Sequence, residues 1–183
     1  MSAEAARSAV CHDGGVNDGI ADALRHNSWA TSTLLAACSG LSPEELDATV
    51  VGTHGGIVAT FAHIVSSEGF YYRRLTGEQA DWLEGAVDNR DLDGIRDAND
   101  DLTARWERLL SKPFDAEITS EVAWHDEGVR DVPAGVVMAQ AIHHGTDHRS
   151  QICTILTSIG IEPPDLGVWD WAEAADRARP RPR

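Results

Sequence analysis

Between Pro133 and Gly160 the chain carries its longest uninterrupted helical stretch, and that stretch constrains everything around it. Proline pre-sets the backbone of a first helical turn, and glycine suits the stop after a last one. A helix over residues 133–159 makes about seven turns and has to lay its apolar side against partners of similar length. Within it, His144 and His148 stand four residues apart, so both imidazoles leave the same face one turn apart. Gln151, Ile152 and Ile155 continue that face, which therefore points inward. Two neighbouring imidazoles can grip one divalent ion if a third ligand arrives from elsewhere. Spacing alone is a weak argument, because eight histidines in 183 residues make one such pair by chance in about a third of sequences.

The partners are present. Ile20, Leu24, Ala30, Leu34 and Leu35 mark a helix from Asp18 to about Ser39, closed by Gly40. Ser42-Pro43 with Glu45 forms a capping-box start for a short turn. Thr53 is placed to cap a second long helix over about 54–75, with Ile57, Val58, Phe61, Ile64, Val65 and Phe70 as apolar positions, and Thr76-Gly77 ends it. A loop with Trp82 follows. Asp91 to about Ser111 forms a third helix that buries Leu92, Ile95, Leu102, Trp106, Leu109 and Leu110, stopped by Lys112-Pro113.

Residues 117–132 change period and read as a small hairpin turning at Asp126-Glu127-Gly128. Asp165 to Ala178 holds a last short helix with Trp169 and Trp171. Four long helices with connectors of these lengths predict an all-α, four-helix bundle with a small β-hairpin before the last long helix. Residues 1–17, with Cys11 and His12, are expected to be a flexible lead-in, 18–176 the bundle, and 177–183 a basic disordered tail.

Composition excludes several classes of function. The net charge is −15, which argues against nucleic-acid binding and against docking on anionic membranes. No apolar run approaches the roughly 20 residues needed to span a bilayer. Three cysteines, widely spaced and without a CxxC, support neither a disulfide framework nor a cysteine zinc site. A reducing cytoplasm is the expected compartment.

His63 lies mid-helix, with the small residues Ala59, Thr60 and Ser67 at i−4, i−3 and i+4 leaving room beside its ring. On residues alone, two readings stay open: a three-histidine metal site, or buried histidines satisfied by core hydrogen bonds. Cys153 is about 140° around its helix from His148 and reads as a small buried hydrophobe.

The stretch His144-Gly-Thr-Asp-His148-Arg149-Ser150-Gln151 resembles the NHxxxHRGQ pattern of the DinB/YfiT-like metalloenzymes. Arg25-His-Asn-Ser-Trp29-Ala30 is similar to that family's first-helix pattern, and Phe61-Ala-His63-Ile-Val-Ser-Ser-Glu68 to its LxHixxxE segment. Ile159-Gly-Ile-Glu-Pro163-Pro164-Asp165 is similar to its Gly-x-x-Pro stretch. The resemblance spans roughly residues 18–172. It implies a four-helix bundle in which His63, His144 and His148 bind one divalent ion. His143 stands where the family has Asn, Ser150 where it has Gly, and His54 where it often has an aromatic. None of these departures removes a ligand.

Three neutral ligands leave an ion's charge uncompensated and at least one position open, as catalytic sites do. The protease form of a His-x-x-x-His helix needs Glu after the first histidine, and Gly145 stands there, which disfavours zincin-type hydrolysis. Similar proteins include S-transferases and isomerases that use low-molecular-weight thiols such as bacillithiol, mycothiol or glutathione. The resemblance thus implies a thiol S-transferase whose ion stabilises the thiolate that attacks an electrophilic small molecule, and a homodimer. Zinc, nickel, iron and manganese all suit imidazole ligands completed by water. The alternatives are a non-catalytic metal- or ligand-binding stress-response protein, or a metal-assisted isomerase, cyclase or hydrolase. Arg149 is expected to pair with Glu68 between helices or to hold an anionic group, and Gln151 to orient a ligand or make a core hydrogen bond. Trp82, Trp124, Trp169 and Trp171 either pack or line the mouth of a pocket.

Overall fold

The computed structural model describes residues 18–84, 91–124, 126 and 128–179. Cys11, His12, the rest of the expected lead-in and the end of the basic tail lie outside the described residues.

The first helix, α1 (Asp18–Ala37), buries Ala21, Leu24, Ala30, Leu34 and Leu35. A single turn, α2 (Pro43–Leu46), starts with the expected capping box: Ser42 Oγ accepts from the Glu45 N–H, and the Glu45 carboxylate accepts from the Ser42 N–H at 2.7 Å. The second long helix, α3 (Ile57–Thr76), begins later than the sequence predicts. Its N-cap is Gly56, and Thr53 instead donates its hydroxyl to the Val50 carbonyl at 2.8 Å, which closes a turn ahead of the helix. A Cβ on Gly56 would lie 3.1 Å from the Asp47 carbonyl oxygen, so this turn packs tightly onto the end of α2. His54 is therefore a loop residue.

The segment after α3 contains a short helix, α4 (Asp81–Glu84), where the sequence suggested a loop. Asp91 caps α5 (Leu92–Leu110) by accepting from the Gly94 N–H. Its buried face is Leu92, Ile95, Ala98, Asn99, Leu102 and Trp106; Leu109 and Leu110 are only half-buried. Strands β1 (Thr119–Ala123) and β2 (Val129–Pro133) pair antiparallel, with Val122 opposite Arg130. Two isolated strands are marginal in water. Here the Arg74 guanidinium of α3 donates to the Glu121 carbonyl at 2.6 Å, and β2 runs directly into α6 (Ala134–Ser158). A final short helix, α7 (Val168–Ala174), packs on α1 and buries Trp171.

The four long helices form a closed ring in the spatial order α1, α5, α3, α6. Helices α1 and α3 are thus diagonal, as are α5 and α6. The two diagonal crossings are made by the long connectors at residues 38–56 and 111–133, which carry α2 and the hairpin, since a short loop can join only neighbours. The architecture is all-α with one hairpin before the last long helix, as the sequence predicts. Phe70, expected on the apolar side of α3, is instead half exposed. Among the described residues no helix is long and apolar enough to cross a membrane.

Candidate metal centre

The most extensive helix–helix packing in the ring is between α3 and α6. It brings His63 from the middle of α3 against His144 and His148 of α6. The Nε2 atoms of His63 and His144 are 3.0 Å apart. Ring centroids are 4.8 Å apart for His63 and His144, 4.6 Å for His63 and His148, and 4.5 Å for His144 and His148. All three rings are half-buried. The residues that the sequence nominated are brought together.

The cluster has a fourth member. His54 stacks on His63 at 4.0 Å with 16° between the planes, and its centroid is 5.3 Å from that of His148. Ligand atoms of His54, His63 and His148 all lie within 4.8 Å of one another. Four donors held 2.0–2.1 Å from a tetrahedral zinc sit about 3.3 Å from each other. His54, His63 and His148 come within reach of one divalent ion after side-chain adjustment, and His144 stands outside that group of three and joins it through His63. His143, by contrast, is exposed.

Gln151 holds the edge of the cluster. Its side-chain oxygen accepts from the His54 backbone N–H at 2.8 Å and lies 3.1 Å from His148 Nδ1. The backbone donor fixes which end of the amide faces it. An amide oxygen only accepts, so His148 carries its proton on Nδ1 in this contact, which leaves Nε2 with the free lone pair. That is the tautomer a metal ligand needs.

Burial lowers the pKa of His144 from 6.5 to about 4, helped by the nearby His148, His63 and His54, while Asp147 opposes the shift. The folded chain thus keeps this imidazole neutral where an unfolded chain would protonate it. Stability is complete above about pH 6.5 and falls as pH drops toward 4, because the unfolded state then binds the extra proton. Metal-free protein is expected to show this loss in thermal scans, and His144→Phe to show a shallower one; equal pH profiles would mean that His144 is not the responsible group.

Beside the cluster, Tyr71 stands with its ring 5.8 Å from that of His144, and the Gln140 amide donates to the Tyr71 hydroxyl at 3.5 Å. Tyr71 forms one wall of a cleft of about 340 Å³ whose other walls include Val122, Trp124, Val132, Val136 and Val137. The hairpin therefore supplies an apolar recess one helical turn from His144.

The remaining nominated residues lie elsewhere. Arg149 does not pair directly with Glu68. The Asn27 amide stands between them, accepting from Arg149 Nη1 at 2.8 Å and donating to Glu68 Oε2 at 3.0 Å. Trp106 donates to Glu68 Oε1 at 2.7 Å, and Arg149 also reaches the hydroxyls of Thr31 and Thr146. One buried polar network thus joins α1, α3, α5 and α6. Burial pushes the Glu68 carboxyl up and Arg149 opposes it; burial lowers Arg149 to about 10 and Glu68 opposes that. Trp82 lies over Gly69 and donates to Asp101 at 2.8 Å, between α3 and α5. Trp169 is 84% exposed on α7. Cys153 packs half-buried against the core, where burial raises its thiol pKa despite Arg149.

Of the residues in and beside the cluster, sequence reasoning passed over His54 and missed Tyr71. His54 had one signal, an imidazole at a position where an aromatic is usual, but helical periodicity says nothing about where a loop lays its side chains. Curated proteins include no match to this chain. The DinB family model matches residues 15–180, a span holding all four histidines and the whole helical ring, and the chain belongs to the DinB family.

Proposed function

We propose that this protein is a divalent-metal-dependent thiol S-transferase acting on an electrophilic small molecule with an apolar body. The observation that carries the reading is the convergence of three imidazoles from two packed helices beside an apolar cleft. A bound ion supplies Lewis acidity, which eases loss of the proton from a thiol that reaches it. His63, His144 and His148 hold that ion, and their neutral charge leaves its own charge available to the sulfur. Zinc, nickel and iron suit the set, and manganese suits it with added water. The recess between Tyr71 and the hairpin receives the apolar part of the electrophile and excludes water from it. The sulfur forms a bond to the electrophilic carbon, the leaving group departs with the electron pair of its bond, and the thiol proton passes to solvent.

The test is turnover of zinc-loaded protein with 1-chloro-2,4-dinitrobenzene and, in turn, glutathione, mycothiol and bacillithiol. The expected result is metal-dependent consumption of one thiol that disappears in His148→Ala while the helical circular dichroism is retained. Stoichiometric metal with no turnover of any thiol would sink the transferase reading and favour a non-catalytic binding protein.

A further inference from the structure

We propose that His54 is a fourth metal donor, carried on a loop that Gln151 latches over the ion. The proposal rests on the metal centre proposed above and adds a donor to it. His63, His144 and His148 are set by helices, so their mutual distances follow from how α3 packs on α6. His54 has no such support. It sits between Gly52, whose φ of +95° suits glycine, and the pair Gly55-Gly56 that leads into α3. The chain nevertheless brings its ring to within van der Waals stacking of His63.

Two contacts hold it there. Thr53 Oγ donates to the Val50 carbonyl and lies 3.2 Å from the Gly55 carbonyl, which closes the turn. Gln151 Oε1 then accepts from the His54 N–H, across 97 residues of sequence, with the same oxygen that faces His148 Nδ1. One side chain of α6 therefore sets both a helical ligand and the loop. His54 comes from an exposed loop while the other three imidazoles come from α3 and α6, and an ion that takes five or six ligands, such as nickel, iron or manganese, would keep a position for the thiol beside all four. Simple ring stacking on His63 is the competing account of His54, and it places no demand on the His54 nitrogens.

The two accounts separate by cobalt binding to the metal-free protein, followed by chelator competition and by the visible absorption bands that report coordination number. His54→Phe keeps a flat ring for stacking and removes the donor nitrogens. It is expected to bind one cobalt at least about tenfold more weakly than wild type and with altered bands, as is His54→Ala. Wild-type affinity and bands in His54→Phe would overturn the proposal, even with weak binding by His54→Ala, since that pattern is packing alone. Gln151→Leu is expected to weaken binding about 10- to 100-fold, and Gln151→Glu, which keeps an acceptor oxygen, to recover most of it. In the His54→Ala background Gln151→Leu should cost less than in wild type, because part of the latch has nothing left to hold; an equal cost in both backgrounds would overturn the latch. Failure of the metal centre itself is a different result: wild-type cobalt affinity in each of His63→Ala, His144→Ala and His148→Ala.

Discussion

Glu68→Ala is expected to lower the unfolding free energy by about 3–5 kcal/mol, the order of cost when a charged member of a buried polar network is removed and its donors are stranded. Glu68 is 4% exposed and accepts from both Asn27 and Trp106, and Arg149 is 3% exposed on the far side of the Asn27 amide. The substitution strands two buried donors and removes the carboxylate that most offsets the burial of that guanidinium. Glu68→Gln keeps one acceptor oxygen but loses the charge, and about 1–3 kcal/mol is expected from it. Urea unfolding of the metal-free proteins, with slopes checked for two-state behaviour, measures both. A change below about 1 kcal/mol for Glu68→Ala would mean that the four helices do not depend on this network.

The network also bears on function. Arg149 directly follows His148, and its bonds to Asn27 and Thr31 of α1 fix how α6 is turned against its neighbours. A helix rotated by a fraction of a turn would move His144 and His148 off the face that meets His63. Gly145 makes the close fit possible. A Cβ there would lie 2.5 Å from Asn27 Oδ1 and 2.7 Å from Arg149 Nη1. The glycine that disfavours protease chemistry in the sequence thus has a structural cause, the approach of α1 to α6 at the Asn27–Arg149 bond.

The fold was legible wherever a repeating pattern met a stop signal. The stretch from Pro133 to Gly160 behaves as read, and so do α1, the capped turn at Ser42 and the hairpin. Errors arose where tertiary contact decides. Thr53 has the right chemistry for a cap, yet its hydroxyl is taken by Val50 and Gly55, so α3 starts at Ile57. Phe70 fits an apolar stripe, but α3 turns it outward, where it lines a second, more polar cleft with Arg73, Arg74 and Glu121. His144 and His148 were legible as a pair because helix geometry projects residues four apart onto one face, and His63 joined them through the family resemblance. His54 was not, because its place depends on a bond from Gln151 that no local pattern announces. The link from Arg149 to Glu68 was half legible: opposite charges on inward faces suggest a pair, while the intervening Asn27 depends on how closely α1 approaches.

Zinc at 100 times its dissociation constant is expected to stabilise the wild-type protein by about 2.7 kcal/mol, which raises Tm by about 5–10 °C for a domain of this size. His148→Ala should lose that shift over the same zinc range, because a ligand that loses one of its helical donors binds at least about 100-fold more weakly. His143→Ala supplies the internal control. It neighbours His144 in sequence but points about 100° away around the helix, and its ring is exposed. Its zinc shift should match the wild type. The argument is one of placement: the same residue type at adjacent positions differs in effect because one ring meets α3 and the other meets water. Equal loss of the zinc shift in His143→Ala and His148→Ala would show that zinc is held by general surface histidines, and a retained shift in His148→Ala would remove α6 from the site. A large zinc shift in the wild type and in His143→Ala, absent from His148→Ala, is the pattern that an ion held between α3 and α6 requires.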